Sequence, residues 1–353
     1  MAPAALLPNP PAPTVTGPTT KKATRPTKAL PKSLIDGAKV PYKSSFNPSK
    51  HLVYSPPEKI HKMKDFGLDG AGISANAISE PFSLFTKDAI KQMRAEIFSE
   101  PVLAECQYAS SFCSNMIRGM GHSRAPFIYS VWKSPEILSK ISEIAGIELI
   151  PAYDYEIANI NIAIKDDETE PETETETERH ATLVEDDTVP AFAWHYDSFP
   201  FVCVTMLSDC TGMVGGETAI KLPSGDIKKV RGPAMGYSVV MQGRYLEHQA
   251  LKALGGRERI TMVTPFRPRD PLVRDETILV GVRGISNLSE LYPQYFEYRL
   301  DVLEERIRAM RRAERERERV GRGAVFDVQG ARGWVEEQRG FLDEVLREMV
   351  VVV

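Results

Sequence analysis

Cysteine is scarce in this chain, and the cysteines present have no metal-binding spacing. Cys106, Cys113, Cys203 and Cys210 include no CxxC pair and no zinc-ribbon pattern. Cys203 and Cys210 lie in or beside an apolar run, where free thiols behave as small hydrophobic groups. We therefore predict reduced cysteines and a cytoplasmic location, because disulfides persist mainly in oxidising compartments.

Long hydrophobic runs and a strong charge of one sign are also missing. No apolar stretch reaches the length of a transmembrane helix. The start, MAPAALLPNPPAP, has no charged segment and is broken by proline, unlike a signal peptide. The formal net charge of −4 gives no basic field of the kind that nucleic-acid binding requires. The sequence thus predicts neither a membrane nor a nucleic-acid partner.

Composition divides the chain into four segments. Residues 1–50 are rich in proline, threonine and lysine, and we expect a disordered tail because such a segment buries little apolar surface. Residues 51–150 carry helical patterns and should buttress a sheet. Short strands follow over 151–268, interrupted by an acidic insertion at 166–187 that we expect to be a solvated loop, with a lid as the alternative. Residues 269–353 predict two amphipathic helices whose apolar stripes form core or homodimer faces.

One apolar, aromatic stretch carries two side chains that suit a metal site. FAWHYDSFPFVCVTML, residues 192–207, is typical of a buried strand. Side chains two residues apart on a strand point to the same face, so His195 and Asp197 project together from an apolar wall. His248, within RYLEHQAL, supplies a second imidazole. Two imidazoles and one carboxylate form the facial triad of a non-haem Fe(II) site and leave coordination positions open.

The HxD pair alone does not identify a metal site, because a hydrogen-bonded core histidine followed by a turn-forming aspartate gives the same pattern. A second pattern is therefore needed. RERITMVT follows two glycines and is typical of a strand whose alternation puts Arg257, Arg259 and Thr261 on one face. A guanidinium fork with a hydroxyl donor beside it suits a carboxylate. We favour Arg259 for this role, since Thr261 lies about 7 Å along the same face, whereas Arg257 directly follows the glycine turn.

HxD, a distant histidine and RxT, in this order and spacing, resemble the 2-oxoglutarate-dependent Fe(II) oxygenases. The flanking helices resemble those of uncharacterised fungal members of that superfamily. The resemblance implies an α+β fold with a double-stranded β-helix core, which is a jelly-roll or cupin-like arrangement, flanked by helices. It covers about 154–266.

The resemblance also implies an activity and its cofactors. His195, Asp197 and His248 would bind Fe(II) as the catalytic and metal-binding residues. Arg259 and Thr261 would hold the distal carboxylate of the cosubstrate 2-oxoglutarate, with Arg257, Tyr155 and Asn161 as the remaining candidate contacts; the first of these three could instead meet substrate or solvent. Molecular oxygen would then oxidise a C–H bond of a small-molecule substrate, most simply by hydroxylation, and succinate and CO2 would be released.

Three other functions fit parts of the pattern. A zinc-dependent hydrolase could use the same two histidines and aspartate, but it would need a general base and gives no role to Arg259. An iron dioxygenase independent of 2-oxoglutarate also leaves Arg259 unexplained. A non-enzymatic jelly-roll scaffold would not need an intact ligand set.

Overall fold

The computed structural model describes most of the chain, with gaps at the start, at the acidic stretch and in short loops. The described residues are 11–17, 23–111, 113–164, 194–211, 214–215, 217–230, 234–251, 253–254, 258–320 and 326–351. The predicted acidic insertion at 166–187 and Arg257 lie outside them.

The helices fall into two groups, one before the strand-rich region and one after it. Those of the described residues are α1 (Lys32–Gly37), α2 (Pro48–His51), α3 (Lys87–Ile97), α4 (Glu100–Glu105), α5 (Gly121–Arg124), α6 (Pro126–Trp132), α7 (Pro135–Ala145), α8 (Leu288–Val320) and α9 (Val328–Glu348). Short 3-10 turns occupy Met63–Phe66, Asp154–Glu156 and Arg283–Ile285. No helix in this part of the chain is long and apolar enough to cross a membrane.

Most strands are short, and β15 is the longest. They are β1 (Ile60–Lys62), β2 (Asn76–Ser79), β3 (Phe82–Ser83), β4 (Gln107–Tyr108), β5 (Met116–Ile117), β6 (Leu149–Pro151), β7 (Asn159–Ile164), β8 (Phe201–Met206), β9 (Val214–Gly215), β10 (Thr218–Lys221), β11 (Ile227–Val230), β12 (Tyr237–Met241), β13 (His248–Ala250), β14 (Ala253–Leu254) and β15 (Glu258–Pro268).

These strands form antiparallel sheets of unequal size. The large sheet has the order β1-β2-β12-β8-β15-β7-β5-β4, with β3 attached to β12 and β6 to β15. A smaller sheet has the order β11-β10-β13, and β14 pairs with β9. Ile220 and Val230 of the smaller sheet share one buried cluster with Val202 and Met241 of the large sheet, so the two sheets pack face to face. The fold is therefore α+β with antiparallel sheets; the double-stranded β-helix is consistent with this order and stays a prediction.

The helices before the sheets bury the outer face of the large sheet. The side-chain hydroxyls of Thr86 and Ser134 cap α3 and α7 by accepting hydrogen bonds from the amides of Ala89 and Ile137. Trp132 of α6 is fully buried, with its ring 5.9 Å from that of Phe266 on β15. This layer holds β15 and its neighbours in place.

Part of the predicted tail is packed rather than disordered. Leu30, Leu34 and Ala38 are buried in the same hydrophobic core as the apolar side chains of α3. The guanidinium of Arg25 donates to the carbonyl oxygens at the end of α4. The prediction of disorder is wrong for residues 23–50. A few apolar side chains are enough to order this segment, because they are buried in a groove between helices.

Each of the two C-terminal helices packs on the rest of the protein through one apolar face, while other apolar side chains of the same helices remain exposed. Leu291, Tyr295, Tyr298 and Val302 of α8 are buried, whereas Phe296, Leu300 and Ile307 on the same helix are exposed. On α9 the side chains of Phe341 and Val345 are buried. The core face of α8 therefore contains Leu291 and Tyr295 but neither Phe296 nor Ile307.

Candidate metal centre

Backbone pairing brings His195 next to His248. The amide of His195 donates to the carbonyl of His248 across 3.0 Å, and the amide of His248 donates back across 3.0 Å. The amide of Asp197 donates to the carbonyl of Gly243 across 2.9 Å. The segment before β8 is thus tied both to β13 and to the turn before it, which fixes the three side chains predicted as ligands.

The three side chains present their ligand atoms to one point. Oδ1 of Asp197 lies 3.6 Å from Nε2 of His195 and 3.8 Å from Nε2 of His248. The two imidazole centroids are 4.3 Å apart, and one ligand atom from each residue lies within 4.8 Å of the others. Ligand atoms that bind one ion at about 2 Å are separated by such distances. The geometry confirms that His195, Asp197 and His248 form one cluster.

Hydrogen bonding and burial prepare His248 to act as a ligand. Its Nδ1 lies 2.9 Å from the carbonyl oxygen of Leu246, so Nδ1 carries the proton and Nε2 keeps its lone pair. Burial, with a smaller effect of His195, lowers the pKa of His248 to about 4. The imidazole is therefore neutral near pH 7, as metal coordination requires.

Asp197 is a buried carboxylate with spare coordinating capacity. Burial alone would raise the pKa of Asp197, but His248, His195 and Arg244 together hold it below its ordinary value. Its Oδ2 is buried without a hydrogen-bond partner. A buried carboxylate oxygen with no donor is costly, and a divalent cation between the imidazoles would satisfy it. The donor set and the orphaned oxygen fit a bound metal ion.

Gly243 makes room for this carboxylate. A Cβ built at Gly243 would overlap the carboxylate of Asp197. The carbonyl of Gly243 also accepts a hydrogen bond from the amide of Asp197. The backbone and the side chain of Asp197 therefore both require the Gly243 backbone to lie close to them. Glycine is the residue that permits such an approach.

The metal ligands open onto a cavity of about 180 Å3 between the sheets, and this cavity also contains Arg259, Thr261 and Asn161. Thr261 is 2% exposed and lies opposite Asn161 in the pairing of β15 with β7. Nε of Arg259 is buried without a hydrogen-bond partner, and burial lowers the pKa of its guanidinium. Among the described residues no carboxylate forms an ion pair with Arg259. The cavity therefore combines a metal-ligand cluster with a buried guanidinium that no carboxylate of the described residues pairs with.

Tyr155 is placed differently from the sequence prediction. It lies in the 3-10 turn Asp154–Glu156, and its hydroxyl accepts a hydrogen bond from the amide of Asn287 across 2.8 Å. Its ring belongs to the core beneath α8 and does not line the cavity. The strand begins only at Asn159, so the alternation that sequence reasoning extended back to residue 155 does not apply there.

Sequence reasoning missed two charged residues of this cavity, Arg118 and Glu156. Arg118 directly follows β5 and carries no local motif, so only the pairing of β5 with β7 brings it to the cavity. Glu156 lies in the 3-10 turn that precedes β7, outside any strand alternation. No pattern in the sequence links the two charges.

An N-terminal segment lies beside the same cavity. Val15 is buried, Thr16 lines the cavity, and the guanidinium of Arg244 donates to the carbonyl of Pro13. Residues 11–17 thus contact the turn that carries Gly243, although they belong to the stretch predicted to be a disordered tail.

Comparison with known proteins found structural likenesses only. No family model and no curated protein matches the chain. Solved structures that resemble it include an oxidoreductase of the 2OG-Fe(II) oxygenase family from Burkholderia pseudomallei, at 14% identity, 43% of this chain, 65% of that chain and a TM-score of 0.30. The alignment thus spans less than two thirds of that protein.

Two further structures give similar values. A prolyl-4-hydroxylase from Pseudomonas putida aligns at 17% identity over 55% of this chain and 88% of that chain, with a TM-score of 0.32. The non-heme alpha ketoglutarate dependent epimerase SnoN from nogalamycin biosynthesis aligns at 16% identity over 50% and 76%, with a TM-score of 0.31. Identities and TM-scores this low do not assign the chain to a family. What the structure establishes is an α+β protein with a His-Asp-His cluster suited to one metal ion.

Proposed function

We propose that this protein is an Fe(II)- and 2-oxoglutarate-dependent dioxygenase that oxidises a C–H bond of a small molecule, most simply by hydroxylation, with release of succinate and CO2. One observation carries the proposal. The cavity that holds the metal-ligand cluster also holds Arg259, a guanidinium whose Nε is buried and unpartnered. A metal centre and a fixed cation in one cavity suit a chelating dicarboxylate.

The metal-binding half of the proposal assigns His195, Asp197 and His248 to Fe(II). Three protein ligands on one side of the ion leave the other positions for small molecules. When bound, Fe(II) and 2-oxoglutarate supply the activation of oxygen. The chain's part is to keep His248 neutral through burial and to hold its Nε2 free through the Leu246 bond.

The cosubstrate half assigns the distal carboxylate of 2-oxoglutarate to Arg259. A guanidinium binds a carboxylate through two parallel hydrogen bonds, and the hydroxyl of Thr261 on the same strand face adds a neutral donor. Asn161 lies opposite Thr261 across the strand pair and offers an amide to the same end of the cavity. Binding would give the buried Nε of Arg259 the partner it lacks.

Apolar side chains surround the space between these groups. Val202, Val204, Met241 and Val263 line the same cavity as the metal ligands and Arg259. Such walls exclude water and strengthen each electrostatic contact inside. They also give a hydrocarbon part of a substrate a place to bind.

A zinc hydrolase is less well supported by this cavity. Such an enzyme needs a carboxylate or imidazole near the metal to act as a general base. Apart from Asp197, the carboxylate among the described lining residues is Glu156, and both of its oxygens accept hydrogen bonds, from Arg118 and Asn159. A hydrolase or an iron dioxygenase independent of 2-oxoglutarate would also leave Arg259 uncompensated.

The proposal includes a cytoplasmic homodimer that forms through the C-terminal helices. Phe296, Leu300 and Ile307 recur along α8 at helical spacing and are each more than two fifths exposed. Leu342 and Leu346 of α9 are also exposed. Exposed apolar stripes of this kind commonly bind a second helix.

Mn(II) binding followed by electron paramagnetic resonance tests the proposed function without turnover. Wild-type protein should bind one equivalent of Mn(II), and 2-oxoglutarate should then change the spectrum of the bound ion. Asp197→Ala should lose the bound-ion signal, while Asp226→Ala, on an exposed turn, should retain it. A spectrum that 2-oxoglutarate leaves unchanged would contradict cosubstrate chelation.

A further inference from the structure

A buried ion pair lines the same cavity as the metal ligands. Arg118 is 5% exposed, Glu156 is fully buried, and Nη2 of Arg118 donates to Oε1 of Glu156 across 2.6 Å. Asn159 is 7% exposed, and its Nδ2 donates to Oε2 of Glu156 across 2.7 Å. The three side chains form one hydrogen-bonded group, which we call the Arg118 network.

Two buried polar atoms of the Arg118 network have no hydrogen-bond partner. Nε of Arg118 and Oδ1 of Asn159 are both buried without a hydrogen-bond partner. Because Nδ2 of Asn159 donates to the carboxylate of Glu156, the other atom of this amide is fixed as an acceptor. Buried polar groups in folded proteins nearly always have partners, so two unpartnered groups in one network indicate that a ligand completes it.

The network lies at the opposite end of the cavity from Arg259. Asn159 is opposite Val263 on β15, four residues beyond Arg259, which corresponds to roughly 13 Å along the strand. Val204 of β8 also pairs with Val263, so the chain that carries Asp197 enters the large sheet at the network's end. The distal carboxylate of a cosubstrate at Arg259 therefore does not reach the network, although both line the same cavity.

Charge within the network decides which chemical group it suits. The carboxylate of Glu156 neutralises the guanidinium of Arg118. An anionic group would therefore be repelled by Glu156, and a cationic group would be repelled by Arg118. A neutral amide offers a carbonyl oxygen to the free donor and an N–H to the free acceptor of Asn159. We propose that the Arg118 network is the substrate-recognition site and binds a neutral amide group, as in a carboxamide or lactam. This deepens the proposed function, on which it depends only for calling the bound molecule a substrate.

Three probes that share one ring distinguish the possible charges. Benzamide, benzoate and benzylamine differ in the group attached to the ring, and each is titrated into the full-length chain by ligand-observed NMR. Arg259→Gln removes the other guanidinium among the described lining residues, so that benzoate binding at that end does not contribute. In this variant benzamide should bind about tenfold more tightly than benzoate or benzylamine, because an unmatched charge loses its hydration without a partner.

Substitutions then locate the binding site. Asn159→Leu should weaken benzamide binding about tenfold by removing the acceptor, whereas Thr218→Val, at another lining position of similar size, should change it less than about twofold. Glu156→Gln leaves Arg118 uncompensated and should raise the benzoate-to-benzamide affinity ratio about tenfold. Near-UV circular dichroism checks that each variant is folded.

The proposal is overturned if benzoate or benzylamine binds as tightly as benzamide in the Arg259→Gln chain, or if none of the three binds. An unchanged ratio in folded Glu156→Gln would also overturn it. If one variant does not fold, the preference of the Arg259→Gln chain still decides. None of these measurements needs metal or oxygen, so a chain that selects amides but fails to bind Mn(II) would refute the proposed dioxygenase and leave the recognition site standing.

Discussion

The role of Arg259 gives the sharpest quantitative prediction. Its guanidinium is desolvated, as the lowered pKa indicates, and no described carboxylate compensates it. A desolvated clamp on a carboxylate is worth about 2–5 kcal/mol. Truncation also removes from the free protein a buried charge that no carboxylate of the described residues compensates, so we expect a loss near the lower end of this range. Arg259→Ala should therefore weaken 2-oxoglutarate binding by roughly thirtyfold, since about 1.4 kcal/mol corresponds to a factor of ten.

The measurement is calorimetric titration of 2-oxoglutarate into Mn(II)-loaded protein under anaerobic conditions. Arg257→Ala is the matched control, since the sequence places this second arginine directly after the glycine turn, and its effect should be much smaller. Arg259→Ala should also leave the thermal midpoint unchanged or raise it, because a buried charge without a partner does not stabilise the fold. A dissociation constant within about threefold of wild type, or a larger effect of Arg257→Ala, would refute the assignment.

Three further predictions test other parts of the structure. Gly243→Ala should lower Mn(II) affinity about tenfold or more, because the added Cβ displaces the Asp197 carboxylate. Gly340→Ala is the control, since a Cβ there meets open space, and it should leave the affinity unchanged. Electron paramagnetic resonance titrations with Mn(II) compare the two variants. Leu34→Ala should lower the free energy of unfolding by about 2 kcal/mol or more in urea denaturation, contrary to a disordered tail. Ile307→Glu should convert the proposed homodimer to a monomer in sedimentation velocity, and a wild-type monomer would refute the dimer.

Part of the metal cluster could be predicted from sequence because His195 and Asp197 lie two residues apart in one apolar stretch. The pattern of residues 192–207 predicted His195 and Asp197 on one strand face, and the apolar surroundings made an isolated carboxylate improbable. In the structure β8 begins only at Phe201, so the two residues precede the strand, and an isolated backbone bridge to His248 holds His195 in place. His248 required a longer step, which its distance along the chain and its strand-like setting supplied. The structure adds what the pattern could not contain, namely the paired backbone bonds between the two histidines and the glycine at residue 243.

The misplaced residues depend on contacts that are distant in sequence. Tyr155 does not lie in the predicted strand, because residues 154–156 form a turn that packs against α8, a helix more than 130 residues further along the chain. Leu34 is buried because a groove between helices receives it, and composition carries no information about such grooves. The ion pair of Arg118 and Glu156 joins residues 38 positions apart, so neither local pattern contained it.

The most direct test of the proposed function is the anaerobic addition of Fe(II) and 2-oxoglutarate to the purified protein. Chelation of Fe(II) by the keto acid should produce a weak visible metal-to-ligand charge-transfer band. The band should be absent in Asp197→Ala and should need much more 2-oxoglutarate in Arg259→Ala. Wild-type protein that binds Fe(II) but develops no band with 2-oxoglutarate would contradict the dioxygenase assignment.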